Sequence, residues 1–294
     1  MTLDEYQKIA TETDQFDASD SEGIIVALLG LAGESGSLLT LFKKKMRDGA
    51  AYEPIQERVR EELGDVLWYI SAIATRSEIS LEDVAQANIQ KSRTRWIRSA
   101  VSDTSMFDTA SPIEEQLPRS FIAELREVGD HAKKRLAIYI DGQKCGSTLT
   151  DNAYKGDDYR LHDIIHLAFA AVLGWSPVLR ALLGRKRKSS PQLDEVEDGG
   201  RAIAIEEGLA ALIFNYASQH SFLSGVKTLD WPLLRTCHEM TTHLEVNSRT
   251  LNDWEQAILK AFAVWRQVRV TGCGFIVADI ATGEFSYRET LDNV

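Results

Sequence analysis

Apolar residues recur at helical spacing through the first hundred positions. Leu3, Tyr6, Ile9 and Ala10, continued by Thr13 and Phe16, mark a first short helix. Asp20-Ser21-Glu22-Gly23 reads as a break and a cap, and a second helix follows through IIVALLGLAGESGSLLTLFKKKM to Asp48-Gly49. A third, PIQERVREELGDVLWYISAIATRS, carries Pro54 in its first turn, where the missing N–H costs nothing. Ser80-Leu81-Glu82-Asp83 caps a fourth, LEDVAQANIQKSRTRWIRSA. Four helices with short connections predict an antiparallel bundle. Residues 99–118, rich in Ser, Thr, Asp and Pro, read as a linker. Helical patterns return in FIAELREVGDHAKKRLAIYI, RLHDIIHLAFAAVLG, RAIAIEEGLAALIFNYASQH, WPLLRTCHEMTTHLEV and LNDWEQAILKAFAVWRQVRV. The run GFIVADIATGEFSYRE has two β-rich stretches around Thr282-Gly283 and predicts a β-hairpin. The expected fold is mainly α. It comprises an N-terminal four-helix bundle (1–98), a linker (99–118) and a mostly helical C-terminal domain (119–294) ending in the hairpin.

Composition narrows the function class. The 294 residues suggest about two domains. A hydrophobic share of 44% and a charged share of 26% are those of a globular protein. The net charge of −11 argues against general nucleic-acid binding and against an anionic membrane surface. Three cysteines without a C-x-x-C pair exclude a disulfide scaffold. The N-terminus has no signal-peptide pattern, and no uncharged apolar run approaches the ~18–20 residues of a spanning helix. These features predict a cytoplasmic protein.

Two helical stretches carry chemistry. Glu34 lies near an apolar stripe among Leu28, Leu29, Leu31, Leu38 and Leu39, where a bare carboxylate is costly to desolvate unless paired or bound to a cation. Glu62 and Asp65 are three apart, hence on one helix face. Carboxylates from two helices suit Mg²⁺, a hard ion that takes oxygen ligands, and a nucleotide phosphoanhydride as its substrate. The bland alternative is ordinary surface acids. Gly33, Gly36 and Gly64, each costing roughly 1 kcal/mol in a helix interior, weigh against it, because they permit close approach of a helix or ligand.

Taken in order, YQKIATETDQF, ALLGLAGESGSL, KKK, EELGDVLWYISAIA and SLEDVAQANIQKSRTRW resemble the MazG-like all-α NTP pyrophosphohydrolases over residues 1 to 98. The resemblance implies a four-helix unit that self-associates as a homodimer or homotetramer. It also implies Mg²⁺-dependent cleavage, with Mn²⁺ as a substitute, of a ribo- or deoxyribonucleoside triphosphate to the monophosphate and pyrophosphate. The family's E-x-x-E and E-x-x-D pattern assigns metal ligation to Glu34, Glu62 and Asp65. Its second carboxylate falls on Ser37, a neutral hydroxyl, so one negative charge is missing. Glu61 is a candidate replacement, although it points about 100° away from Glu62 around the helix. Tyr69 matches a position near the nucleotide, and Asn88 and Lys91 match an N-x-x-K stretch that implies phosphate or sugar contact. Arg95 is one turn further along; Lys91 and Arg95 read equally well as a solvated basic face.

The second domain resembles nothing specific. His162 and His166, four apart, have metal-ligand spacing, and Asp163, Glu206 and Glu207 are candidates to complete a site. Half-buried, hydrogen-bonded core histidines are the competing reading, and an HD-type phosphohydrolase using His131 and His162-Asp163 is a third. His220, His238 and His243 read as structural, the tryptophans as packing, and Arg185 to Lys188 as part of a solvated loop. Three function classes follow: an NTP pyrophosphohydrolase, a nucleotide-binding regulatory module weakened at Ser37, or a second metal-dependent hydrolase in the C-terminal domain.

Overall fold

The computed structural model describes residues 1–15, 21–49, 55–96, 106–129 and 134–291, and it divides into two compact units, Met1–Arg93 and Thr94–Val294. The first unit consists of α1 (Leu3–Thr11), α2 (Ser21–Asp48), α3 (Ile55–Arg76) and α4 (Leu81–Trp96). A capping box starts α1: Thr2 Oγ accepts from the Glu5 N–H while the Glu5 carboxylate accepts from the Thr2 N–H. Ser80 caps α4 as the sequence predicts, its Oγ accepting from the Asp83 N–H at 3.1 Å. The cap is tied to α1, since Ser80 Oγ donates to Asp4 and the Leu81 N–H to Gln7 Oε1. Pro54 and Asp20 lie outside the described residues.

The most extensive packing among the described residues of this unit is between α2 and α3. Gly30 makes it possible, because a Cβ there would sit 2.1 Å from the Tyr69 ring. At Gly33, Gly36 and Gly64 a Cβ would meet nothing within 4 Å, so these glycines do not serve helix packing inside the unit. By length and composition alone Glu22–Asp48 is long and apolar enough to cross a membrane, a test that allows the charge of Glu34 within it. Between Gly23 and Phe42 its one charged residue is Glu34. Many of its apolar side chains are exposed: Leu29 is 69% and Leu39 71% accessible.

The second unit contains α5 (Asp163–Leu173), α6 (Pro177–Leu182), α7 (Pro191–Val196), α8 (Gly200–Gln219), α9 (Trp231–Met240) and α10 (Leu251–Thr271). Its sheet comprises β1 (Ser120–Val128), β2 (Arg135–Ile140), β3 (Gln143–Leu149), β4 (Cys273–Asp279) and β5 (Glu284–Arg288), antiparallel in the order β3-β2-β1-β4-β5. The predicted terminal hairpin is β4–β5. The helix expected over 121–140 is instead β1 and β2. Phe121, Ala123 and Leu125 are buried while their neighbours are less so, a period of two rather than 3.6. At the centre, α5 is buried nearly all round by α8, α10 and the sheet, and Trp175, Trp254 and Trp265 pack there.

Two polar segments also depart from expectation. Residues 106–118, read as part of a linker, build into the second unit. Asp108 is fully buried, accepting from Arg119, Arg180 and the Leu117 N–H. The stretch read as a solvated loop contains α7, and Arg187 is fully buried. Asp198 and Glu245 accept from its guanidinium at 2.8 Å, and Arg185 donates to the carbonyls of Ile113 and Gln116. A buried guanidinium is tolerated only when its donors find acceptors, and two carboxylates supply them here.

Candidate functional site

In the first unit, α2 presents Glu34 and α3 presents Glu62 and Asp65 one turn apart. One oxygen from each carboxylate lies within 4.8 Å of the other two. Glu34 and Glu62 are half-buried, and Asp65 is exposed. The local cause is the α2–α3 contact: with Tyr69 seated over Gly30, the next turn of each helix faces the other at Glu34 and Asp65. Desolvation first, then the charges of Glu34, Asp65 and Glu61 and a hydrogen bond with Glu34, push the Glu62 carboxyl above its ordinary value. Three like charges so close repel one another, a repulsion that a cation relieves, and an all-oxygen donor set fits a hard divalent ion. Asp65 also acts on Tyr6, raising its phenol together with burial. Glu61 is exposed and outside the three-carboxylate group, reaching it only through its charge. Ser37 is half-buried three residues after Glu34.

One turn beyond Asp65, Tyr69 lines a cavity of about 180 Å³ with Asp14, Val26, Ala27, Trp68 and Arg76. Trp68 Nε1 donates to Thr13 Oγ1 at 2.8 Å, and Arg76 pairs with Asp14 at 2.5 Å, both side chains nearly buried. This ion pair escaped the sequence reading, because its partners are far apart in the chain; an arginine closing the apolar run ISAIATR was the available signal. Asn88 and Lys91 are exposed on α4. The Arg95 side chain and His131 lie outside the described residues.

In the second unit, His162 and His166 occupy one face at the start of α5, with ring centroids 5.7 Å apart. Glu207, on α8, places Oε2 3.5 Å from His166 Nε2 and 3.9 Å from His162 Nε2. Asp163 Oδ1 is 3.3 Å from His162 Nε2, but Asp163 does not converge with the other three. Glu206 points elsewhere. It accepts from His166 Nδ1 at 2.8 Å, Ser176 Oγ at 2.7 Å and the Val178 N–H at 2.8 Å. The predicted ligand group is therefore corrected: Glu206 orients a histidine instead of joining it. Burial disfavours the His166 imidazolium, but Glu206, Glu207 and Asp163 outweigh it and lift His166 to about 10. The hydrogen bond from His166, then opposing burial, then the charges of both histidines leave Glu207 below its ordinary value.

The remaining candidates are structural. His238 Nε2 lies 3.1 Å from the Asn247 carbonyl, and His220 stacks on Tyr216. Burial pushes Cys145 up to about 11 and Cys237 up to about 12, which unsuits either thiol for nucleophilic work.

Comparison with known proteins joins the two units. Residues 26–97 match the family model described as the MazG nucleotide pyrophosphohydrolase domain, and residues 102–291 match the MazG C-terminal domain. The chain belongs to the MazG family. Its first unit carries a nucleotide pyrophosphohydrolase domain, a hydrolase fold whose members generally depend on a divalent metal. The MazG C-terminal domain had no recognised counterpart in the sequence reading. The chain is also 32% identical over 107 residues to the Gene 37 protein of Mycobacterium phage L5, covering 94% of that relative and 34% of this chain. No solved structure matches.

Proposed function

We propose that the N-terminal unit hydrolyses a nucleoside triphosphate to its monophosphate and pyrophosphate, with Glu34, Glu62 and Asp65 holding Mg²⁺. The convergence of three carboxylates from α2 and α3 carries this reading. Bound Mg²⁺ supplies the positive charge that offsets the triphosphate. Glu34 and Asp65 fix the geometry from opposite helices. A carboxylate of the same cluster orients the attacking water and takes its proton. The water oxygen bonds the α-phosphorus as the α–β bridge breaks, and pyrophosphate leaves. Tyr69 and Trp68 place the nucleoside in the adjacent cavity. Asn88 and Lys91 of α4, with Arg95, meet the phosphates in the assembled enzyme.

A second copy of the chain covers the exposed apolar residues of α2, α3 and α4. Leu29, Leu39, Leu63 and Ile89 are all exposed, and large bare apolar surface marks an interaction site. Purified protein incubated with Mg²⁺ and a panel of ribo- and deoxyribonucleoside triphosphates should release pyrophosphate. Glu62→Ala should lower the rate at least ~100-fold, the scale of removing one acid–base group. Absence of pyrophosphate from every nucleotide, or equal rates for Glu62→Ala and wild type, would sink the reading.

A further inference from the structure

We propose that His162, His166 and Glu207 form a second metal site, which binds one divalent transition-metal ion of the zinc class. It uses none of the groups of the α2–α3 cluster and stands independently of the pyrophosphohydrolase reading. The first observation is convergence: Nε2 of both histidines and Oε2 of Glu207 lie within 4.8 Å of one another, with Glu207 at 3.5 and 3.9 Å from the two nitrogens. Four-coordinate zinc with bonds of about 2.0–2.2 Å sets ligand atoms about 3.3–3.6 Å apart, so modest closure completes the geometry.

The second observation is the orientation of the rings. His162 Nδ1 sits 2.9 Å from the Tyr159 carbonyl, an acceptor, so it carries the ring hydrogen. His166 Nδ1 sits 2.8 Å from Glu206 Oε1, an acceptor when ionised, so the same assignment follows. When each ring yields its Nε2 proton to an incoming metal ion, both Nε2 lone pairs face Glu207. An outer oxygen that fixes the ring and its tautomer accompanies nearly every metal-bound histidine. Glu206 is itself locked by Ser176 Oγ and the Val178 N–H, and His162 is stacked on Tyr159 at 4.4 Å. The rings are therefore held before any ligand arrives.

The third observation is burial. The His166 side chain is 2% exposed, and its Nε2 faces the Glu207 carboxylate at 3.5 Å, the separation of two ligands on one four-coordinate zinc ion. Two imidazoles and one carboxylate suit zinc or a neighbouring first-row ion better than magnesium, which prefers oxygen donors and several waters. The Glu207 side chain is 45% exposed, so a fourth position opens toward solvent and takes water.

The test uses the full chain carrying Glu62→Ala, stripped with a chelator and held in excess Mg²⁺. Calorimetry with Zn²⁺ should give one equivalent, and Co²⁺ should give the visible absorption of a four-coordinate nitrogen–oxygen site. Glu207→Gln, at a partly exposed position that spares the fold, and His162→Asn should each weaken Zn²⁺ binding by about 100-fold or more. Ser176→Ala, which only loosens Glu206, should weaken it by about 10–100-fold. No Zn²⁺ uptake by the stripped chain would overturn the proposal. Uptake equally tight in Glu207→Gln and His162→Asn would overturn it too.

Discussion

At the residue scale, the α2–α3 cluster depends on what stands beside each carboxylate. Desolvation, then the charges of Glu34, Asp65 and Glu61, hold Glu62 above its usual value, and Ser37 adds no charge of its own. Ser37→Glu is expected to tighten Mg²⁺ about tenfold, read as a lower Mg²⁺ concentration for half-maximal pyrophosphate release. An unchanged Mg²⁺ titration would show that position 37 lies outside the cation's reach. Gly30 tests the packing beneath the cluster. A methyl there gains roughly 1 kcal/mol of helix propensity but lands on the Tyr69 ring, and overpacking costs about 1–3 kcal/mol. Gly30→Ala should therefore lower the melting temperature and raise KM through Tyr69; a more stable variant with unchanged KM would contradict the close approach. Glu34 stood out in the sequence as an acid beside an apolar stripe, costly without a role, and Glu62 and Asp65 as two acids on one helix face, while their assignment as ligands came from the family resemblance. The opposite duties of Glu206 and Glu207 were not. Adjacent on one helix, they differ only in which neighbours reach them.

At the element scale, legibility followed periodicity. The helices α2, α3, α8 and α10 are long enough for a 3.6-residue pattern to show, and the sequence placed them within a few residues. FIAELREV and RLAIYI were misread because eight and six residues with mixed polar positions fit either period, and one of the two partners of β1, β4, is distant in sequence. The basic run Arg185 to Lys188 misled for a related reason. Its acceptors, the Asp198 and Glu245 carboxylates and the Ile113 and Gln116 carbonyls, come from other segments. These buried pairs make a prediction about acid. Burial alone would raise Asp108, but hydrogen bonds from the Leu117 N–H, Arg119 and Arg180 outweigh it and hold the carboxyl below its ordinary value. A carboxyl depressed on folding contributes stability that is complete above the unfolded pKa, about 3.9, and is lost as pH falls through the folded value. Asp108→Asn should cost about 3–5 kcal/mol at neutral pH, measured by denaturant unfolding, by leaving Arg180 buried without its partner. It should also flatten the loss of stability below about pH 4. A variant as stable as wild type would show that Arg180 finds sufficient acceptors in Asp198 and the Glu115 carbonyl.

At the scale of the whole molecule, the net charge of −11 no longer reads as a simple surface property. Part of it converges at two clusters, and part lies in carboxylates that meet buried arginines. The exposed apolar residues of α2 to α4 set the expected assembly: light scattering at micromolar concentration should give at least a dimer. A monomer that still hydrolyses nucleotide would refute the covering copy. A dimer that is lost in Leu29→Glu, together with activity, would support it.

The sheet order also governs when the second unit can close. β1 lies between β2, which follows it at once, and β4, which follows only after α10. On a ribosome, β1 to β3 emerge first, and the far edge of β1 stays open while every helix of the unit is made. That edge offers unpaired backbone on a strand whose Phe121, Ala123 and Leu125 alternate with less buried residues, a template for pairing with another nascent chain. Synthesis halted after Gly272 would leave a product with its core helices complete and its sheet unsealed, prone to aggregate however well the N-terminal unit folds.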